Sequence, residues 1–341
     1  MSGWLRRNLF SSWASALLTL ALAALVLRLL PGLVEWAVVK AVFLPDAESC
    51  RALDGAGACW GVIAEKYRLV LFGRYPFGEQ WRPALATGLV LALLAATGAA
   101  RRPGRRLLLA WIFVPCASLA LLRGGFAGLS PVGSEHWGGF PLTLLLSLGA
   151  LAGALPLGIL LALGRTSPLP VLRIACGAYV ELIRALPLIP VLFMAAFLFP
   201  LLLPRDFGGD VLLRVLLALV LFASAYLAEV VRGGLQSVPA AQYETARALG
   251  LGYWQIHRYV VLPQALRAAL PALTNSFVAL FKDVSLVTVV SLYELTGSLT
   301  LALAGDADWR PYFLEGYLFI GLIYWTGCFA LSRWSGTLEQ R

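Results

Sequence analysis

"QYETARALGLGYWQIHRYVVLP" occupies Gln242–Pro263 and interrupts a chain that is 60% hydrophobic. Apolar runs flank it at Val211–Val231 and Ala265–Phe281. The stretch carries Glu244, Arg247, His257 and Arg258 in helical spacing, with Gly250 and Gly252 near its middle. It is too polar and too interrupted to cross a bilayer. Ser237 can cap a helix, Pro239 suits a first turn, and Ala240–Leu249 are mostly good helix formers. Gly250 and Gly252 then stop that helix. A second short helix, near Tyr253–Tyr259, runs into Pro263. Ten helical residues reach about 15 Å, half a bilayer. The expectation is two short helices at an angle on one membrane face. Tyr243, Ala246, Leu249, Trp254 and Ile256 give them a docking surface.

The rest of the chain sets the class. Only 13% of its 341 residues are charged, against about 25% in soluble domains. Apolar runs near Trp13–Leu30, Ala84–Ala100, Leu107–Leu122, Phe140–Leu163, Tyr179–Leu203, Val211–Val231, Ala265–Phe281 and Tyr312–Leu331 are long enough to span. The fold class is an all-α polytopic membrane protein with about eight transmembrane helices. A further apolar run, Ser285–Ala304, has Glu294 at its centre and reads as a re-entrant or interfacial helix. The first run lacks an A-x-A-like cleavage site and reads as a signal anchor. The net charge of +9 does not indicate nucleic acid: no Lys/Arg stripe exists, and the Arg residues sit beside span ends, where anionic lipid favours them.

Arginine counts in the short linkers give the orientation. "RRPGRR" (101–106), Gly164–Ile174 and Arg232–Pro263 are basic, while Arg123–Gly139, Pro204–Asp210 and Gly305–Pro311 are acidic on balance. The basic set is therefore cytoplasmic, and eight crossings put both termini there, in agreement with Arg6, Arg7, Arg333 and Arg341. The style of the chain changes near residue 139. Residues 1–139 read as an N-terminal extension with three transmembrane helices and a periplasmic segment, 31–83. Residues 140–341 read as a five-helix core with a cytoplasmic loop, 232–263. Cys50 and Cys59 lie in the outer segment and are candidates for a disulfide in an oxidising periplasm, against two free thiols. Cys116, Cys176 and Cys328 fall within or beside spans as small apolar packers.

Catalytic signatures are missing from the sequence. No G-x4-G-K-[ST] stretch is present to cradle ATP phosphates, and there is no H-E-x-x-H or G-x-S-x-G. His136 and His257 fall on opposite sides of the membrane, which excludes a two-His metal site. No cofactor and no metal are expected.

Written as E-x-A-x3-G-x9-[IV]-x-L-P, the insert is Glu244, Ala246, Gly250, Val260, Leu262 and Pro263. This resembles the EAA loop of ABC importer permeases, with Thr245 in place of the first Ala and Val260 in place of Ile. "EHWGGFPLTLLLS", "GILLALGR", "ELIRALPLIPVLFMA", "AYLAEVVRGGLQSVPAAQYETARALGLGYWQ" and "FVALFKDVSLV" are similar to polar amino acid permeases of the histidine/glutamate/glutamine/arginine group. That likeness runs from about His136 to the C-terminus. "GACW" and "FGRYP" resemble the larger of the paired permeases of general L-amino acid importers. The resemblance implies a type I ABC importer core that translocates L-amino acids across the bacterial inner membrane. It also implies four kinds of partner: a homologous second permease in a heterodimer, two ATP-binding subunits seated on the loop, a periplasmic amino-acid-binding protein, and the lipid bilayer. ATP hydrolysis would belong to the partners, so the chain itself is not an enzyme. The alternative is an ion-coupled secondary amino acid transporter. The loop argues against it, as does the lack of obvious inverted repeats.

Ionisable residues within spans are costly and mark candidate sites. Glu181 and Arg184, and Glu229 and Arg232, are each three apart, a spacing that brings side chains together on one helix face. Both pairs lie near cytoplasmic span ends and read as mainly structural. Lys282-Asp283 lies at a break between helices. The pair reads either as an interface anchor or as part of a site for a zwitterion, and the resemblance favours the second reading. Asn275 and Ser285 complete the set of substrate-pathway candidates, with Thr274 and Ser276 on the same helix. Gly149 and Gly153 form a G-x-x-x-G that permits close helix packing.

Overall fold

The computed structural model describes residues 2–52, 54–100, 104–202 and 209–339. Arg101, Arg102 and Pro103 of the basic linker, residues 203–208 at the end of one span and in one acidic linker, and Arg341 lie outside the described residues. The described chain is helical, and its only β-bridges are two isolated ones, Val42 with Cys59 and Gly139 with Glu294. In order the helices are α1 (Ser2–Leu9), α2 (Trp13–Val34), α3 (Ala47–Ala52), α4 (Gly61–Phe72), α5 (Trp81–Ala99), α6 (Arg105–Arg123), α7 (Gly139–Arg165), α8 (Pro170–Ala185), α9 (Leu188–Leu202), α10 (Val211–Ser237), α11 (Ala240–Ala248), α12 (Leu262–Asp283), α13 (Leu295–Ala304) and α14 (Phe313–Glu339). Among these residues seven helical segments are long and apolar enough to cross a membrane, and the bent pair α8–α9 makes an eighth if counted as one span.

Where the helices end corrects the hydropathy reading in two places. The apolar run Tyr179–Leu203 is not one helix: α8 starts already at Pro170, and α8 and α9 meet at 105°. Pro187 is the cause. It has no N–H to donate and holds Leu186 in the extended region, ψ 136°. The run Val211–Val231 continues as helix to Ser237, because Arg232 finds a carboxylate on its own helix (below) and need not end it.

The chain forms two compact units. One comprises the residues up to Tyr67 together with Leu303–Phe319. Within it α2 buries none of its residues. Cys50 and Cys59 are disulfide-bonded, with Cα atoms 5.5 Å apart, and both are buried. The Cys59 N–H donates to the Glu315 carboxylate (2.9 Å), Trp60 Nε1 donates to the Ala37 carbonyl (2.8 Å), and Lys66 Nζ pairs with Asp306 (2.7 Å). A small segment with little apolar core is thus held by a covalent staple and directed polar contacts.

The other unit comprises Arg68–Ala302 and Ile320 onward. α5 and α6 form an antiparallel hairpin. The Arg82 guanidinium is fully buried there, donating to the carbonyls of Leu121 (2.7 Å) and Ser130 (3.0 Å) and pairing with Glu79. α10 is the central element, packed between α7 and α12. Gly149, Gly153 and Gly158 on α7 lie against Leu216, Val220 and Leu227 on α10, so close that a Cβ at Gly153 would come within 2.8 Å of the Val220 side chain. The small-residue face therefore serves packing. Leu146, Val215, Leu219, Val231, Ala265 and Val284 are among the residues at the centre of this core.

Candidate functional site

The polar insert folds as a joint. α10 ends at Ser237, whose hydroxyl donates back to the Gly234 carbonyl (2.7 Å) and so does not cap the next helix as expected. Pro239 is itself the N-cap, in an extended conformation (ψ 141°), not a residue of the first turn. α11 closes at Gly250, whose φ of +76° is left-handed. The Gly250 N–H reaches the Arg247 carbonyl (2.9 Å) and the Leu251 N–H reaches the Ala246 carbonyl (3.2 Å), satisfying carbonyls at the helix end. A second departure follows. The helix that starts at Tyr253 does not stop near Tyr259. It passes through a π-helical stretch, Ile256–Val261, directly into α12. Pro263 lacks the N–H an α-helix would use at that position, and the wider π turn accommodates it.

The side chains of the joint divide into two sets. Ala246 and Ile256 are buried in the core and so are not part of the outer docking surface expected from the sequence. Leu249 (75% exposed), Trp254 (70%) and Tyr259 (67%) do form an exposed apolar and aromatic surface. Tyr243 packs against the core instead, and burial raises its phenol above the ordinary range. The His257 ring lies 4.2 Å from that of Tyr253 and 6.1 Å from that of Tyr243, with Nδ1 2.8 Å from the Tyr253 carbonyl. This cluster fixes α11 against the helix that follows. Glu244 and Gly250 are exposed, as is Pro263, while Val260 and Leu262 are half-buried. Glu244 and Arg247 line an open cavity of about 460 Å³ with Thr166, Gln236 and Tyr243.

Beside the joint an ion cluster ties three helices. Arg165, at the end of α7, lies 2.6 Å from Glu229 on α10 and 3.4 Å from Glu181 on α8. Arg184 lies 3.6 Å from Glu229, and Arg232 also pairs with Glu229. The pairing of Glu229 with Arg232 matches their spacing. Glu181 and Arg184 turn to partners on other helices instead.

At its far end α12 reaches a second site. A cavity of about 270 Å³ is lined by Asp283 and Ser276 on α12, Phe222 and Tyr226 on α10, and Leu188 on α9. Asp283 is the last residue of α12, and a 3-10 segment, Val284–Val290, follows, so the break lies where the sequence implied. Asn275 and Lys282 are exposed and Ser285 is half-buried, and these three do not line the cavity. Thr274 is buried and bonds the Leu270 carbonyl (3.1 Å).

One buried group was not singled out from the sequence as a site. Glu294 is fully buried before α13, in a run with no single continuous helix. Its carboxyl accepts from the N–H groups of Thr296 (2.9 Å) and Gly297 (3.0 Å) and from the Tyr324 hydroxyl (2.7 Å), with Thr143 at 3.3 Å. Nearby, the Gly139 N–H donates to the Tyr293 carbonyl (2.9 Å). Gly139 has φ +63°, and a Cβ there would lie 2.1 Å from the Leu71 carbonyl oxygen, so no other residue fits. Among the described residues no group of three His, Cys, Asp or Glu side chains could hold a metal ion.

A bundle of helices long and apolar enough to cross a membrane, with a helical joint at one end of α12 and at the other a small, largely apolar cavity that includes Asp283 and Ser276, is the architecture of a transport subunit. The chain belongs to the family of binding-protein-dependent transport system inner membrane components, whose model matches residues 154–341. It is 43% identical over 341 residues to the inner membrane amino-acid ABC transporter permease protein YhdY of Escherichia coli (strain K12), covering 99% of this chain and 92% of that protein. It is 32% identical to the glutamate/glutamine/aspartate/asparagine transport system permease protein BztC of Rhodobacter capsulatus, covering 99% of this chain and 93% of that one. A crystal structure of an amino acid ABC transporter with histidines superposes on 59% of this chain and 91% of its own with a TM-score of 0.52 at 30% identity. The fold is that of an ABC importer permease.

Proposed function

We propose that this chain is the permease subunit of an ATP-driven importer that moves L-amino acids inward across the bacterial inner membrane. The observation that carries the proposal is the joint. An exposed aromatic surface at Trp254 and Tyr259 stands on a helix that runs unbroken into α12 and ends at the Asp283 cavity. α12 has 22 residues and is therefore about 33 Å long. A push at the joint is thus delivered at membrane depth.

In this reading the joint faces the cytoplasm, both termini lie there, and the disulfide-bonded segment faces the periplasm. Residues 1–139 are an extension on a permease core, 140–341. Glu244, Ala246, Gly250, Val260, Leu262 and Pro263 shape the surface on which a separate ATP-binding subunit sits. Two such subunits, a second homologous permease and a periplasmic amino-acid-binding protein complete the assembly, and the nucleotide chemistry is theirs. Closure of the ATP-binding subunits draws the joints together and turns the cavity outward. Asp283 attracts the ammonium group of the substrate, with Ser276 beside it. Lys282, Asn275 and Ser285 act outside the cavity wall, along the path to it.

The alternative of a self-sufficient ion-coupled transporter gives no role to an exposed helical joint. Purification in mild detergent followed by reconstitution tests the choice. An ATP-binding subunit should accompany the chain, and uptake should require ATP and the loaded binding protein. Uptake by this chain alone, driven by a proton gradient, would overturn the proposal.

A further inference from the structure

Next to the ion cluster an open cavity of about 470 Å³ is lined by Arg165, Arg173, Arg232, Glu181, Gly177 and Ala178. Its charge is unbalanced. Arg165, Arg184 and Arg232 share Glu229, and Glu181 adds only one further carboxylate, 74% exposed, against Arg165. Arg173 has no ion-pair partner among the described residues, so positive charge is left over at the cavity mouth. The floor is open, because a Cβ built at Gly177 would meet nothing within 4 Å.

The helix carrying this wall has two adjoining stripes. Arg173, Gly177 and Glu181 follow one another at four-residue steps along α8 and face the cavity. Val171, Ile174, Ala178 and Leu182 form the neighbouring stripe at three- and four-residue steps. Val171 (78%), Ile174 (68%) and Leu182 (62%) are exposed although apolar. α8 turns away from α9 by 105°, so it does not simply extend that span. An apolar stripe flanked by guanidiniums is how a helix lies at a bilayer interface, with alkyl groups among acyl chains and cations at phosphate level. Guanidinium forks also match phosphate oxygens two at a time.

We propose that the Arg165–Arg173–Arg232 cavity seats the phosphodiester of an anionic membrane lipid, with its acyl chains along Val171, Ile174 and Leu182. The inference rests on the reading of the joint face as cytoplasmic, where the lipid belongs to the inner leaflet. Charge complementarity selects this occupant. A neutral lipid leaves the spare guanidinium charge unmatched, and a purely apolar partner would strand it.

The test uses the chain purified with its accompanying subunits in mild detergent, with added phosphatidylglycerol as the probe and native mass spectrometry as the readout. Wild type should retain phosphatidylglycerol over phosphatidylcholine. Arg173→Gln should weaken retention by about fivefold, the worth of one basic side chain near an anionic surface. Gly177→Leu, which fills the cavity and keeps every charge, should weaken it as well. Equal retention in all three proteins would overturn the proposal. So would displacement of the lipid by inorganic phosphate, which would make the site one for a free anion. Loss of a partner subunit from Arg173→Gln with lipid retention unchanged would assign the surface to protein and overturn it too. Retention is read without ATP or substrate, so a failure of the transport reading leaves this result standing on its own.

Discussion

Arg165 Nη1 lies 2.6 Å from Glu229 Oε2, joining the last turn of α7 to α10. Glu229 is, among the described residues, the one carboxylate that three guanidiniums share, and at 27% side-chain exposure it is neither free in water nor sealed from it. Glu229→Gln should therefore cost about 1–3 kcal/mol, between the values for exposed and buried pairs. Glu181→Gln should cost well under about 1 kcal/mol, because its side chain is 74% exposed. Thermal melting of the two variants in one detergent checks the order, and equal losses would refute it.

Gly250 offers a test of backbone against bulk. Nothing lies within 4 Å of a Cβ built there, so side-chain size should not matter, whereas φ of +76° should. Gly250→Ala and Gly250→Leu should be equally impaired, each strained by about 1–2 kcal/mol, and Gly250→Asn should be the mildest. Stimulated ATP hydrolysis and transport should fall together in assembled complexes. Wild-type stimulation in well-assembled Gly250→Leu would remove the joint from the coupling path.

Asp283→Asn keeps the volume at the end of α12 and removes its charge. A charge-assisted hydrogen bond is worth about 1.5–3 kcal/mol, so transport at limiting substrate should drop on the order of tenfold or more. Capture by the binding protein should be unaffected. Lys282→Gln should be milder, since Lys282 is exposed and outside the cavity. Unchanged transport of neutral, acidic and basic amino acids by Asp283→Asn would remove this cavity from the substrate path.

The pairing of Lys66 with Asp306 gives a pH dependence. The hydrogen bond from Lys66 holds the Asp306 carboxyl below its ordinary range. Its folded value is thus depressed below the unfolded one, about 3.9. The stabilisation is complete above that value and is lost as pH falls through the lower folded value. Melting curves of wild type and Asp306→Asn should differ near neutral pH and converge in strong acid. A constant difference across that range would mean the ion pair contributes nothing.

Hydropathy located the membrane-crossing helices because burial in lipid is a local property of each run. Gly250 was legible for the same reason, since a helix followed by glycine is a signal contained in a few residues. What the sequence concealed depends on distant partners. Glu181 and Arg184 have the spacing of a pair, yet Arg165, on another helix, outcompetes that geometry. Glu294 sits in an apolar run, and the groups that justify its burial, Thr143 and Tyr324, come from opposite sides of it in the chain. Pro263 signalled a helix end. The π stretch before it supplied a way for the helix to continue that a reading at 3.6 residues per turn does not contain.

Along the helix from Tyr253 to Asp283, the π turns of Ile256–Val261 enclose one more residue per hydrogen-bonded ring than α turns do. They therefore let the chain hold one residue more than an α-helix would, with little change in the angular phase between the two ends. Losing one residue from this stretch and relaxing to α-helix would leave Trp254 and Asp283 nearly in phase. Losing one residue from the α-helical body of α12 would instead rotate Trp254 relative to Asp283 by about 100°. Both ends would keep their chemistry, and the helix would still cross, but the aromatic surface and the cavity would no longer be aimed for the same movement. The π stretch should therefore tolerate a one-residue deletion that the body of α12 does not.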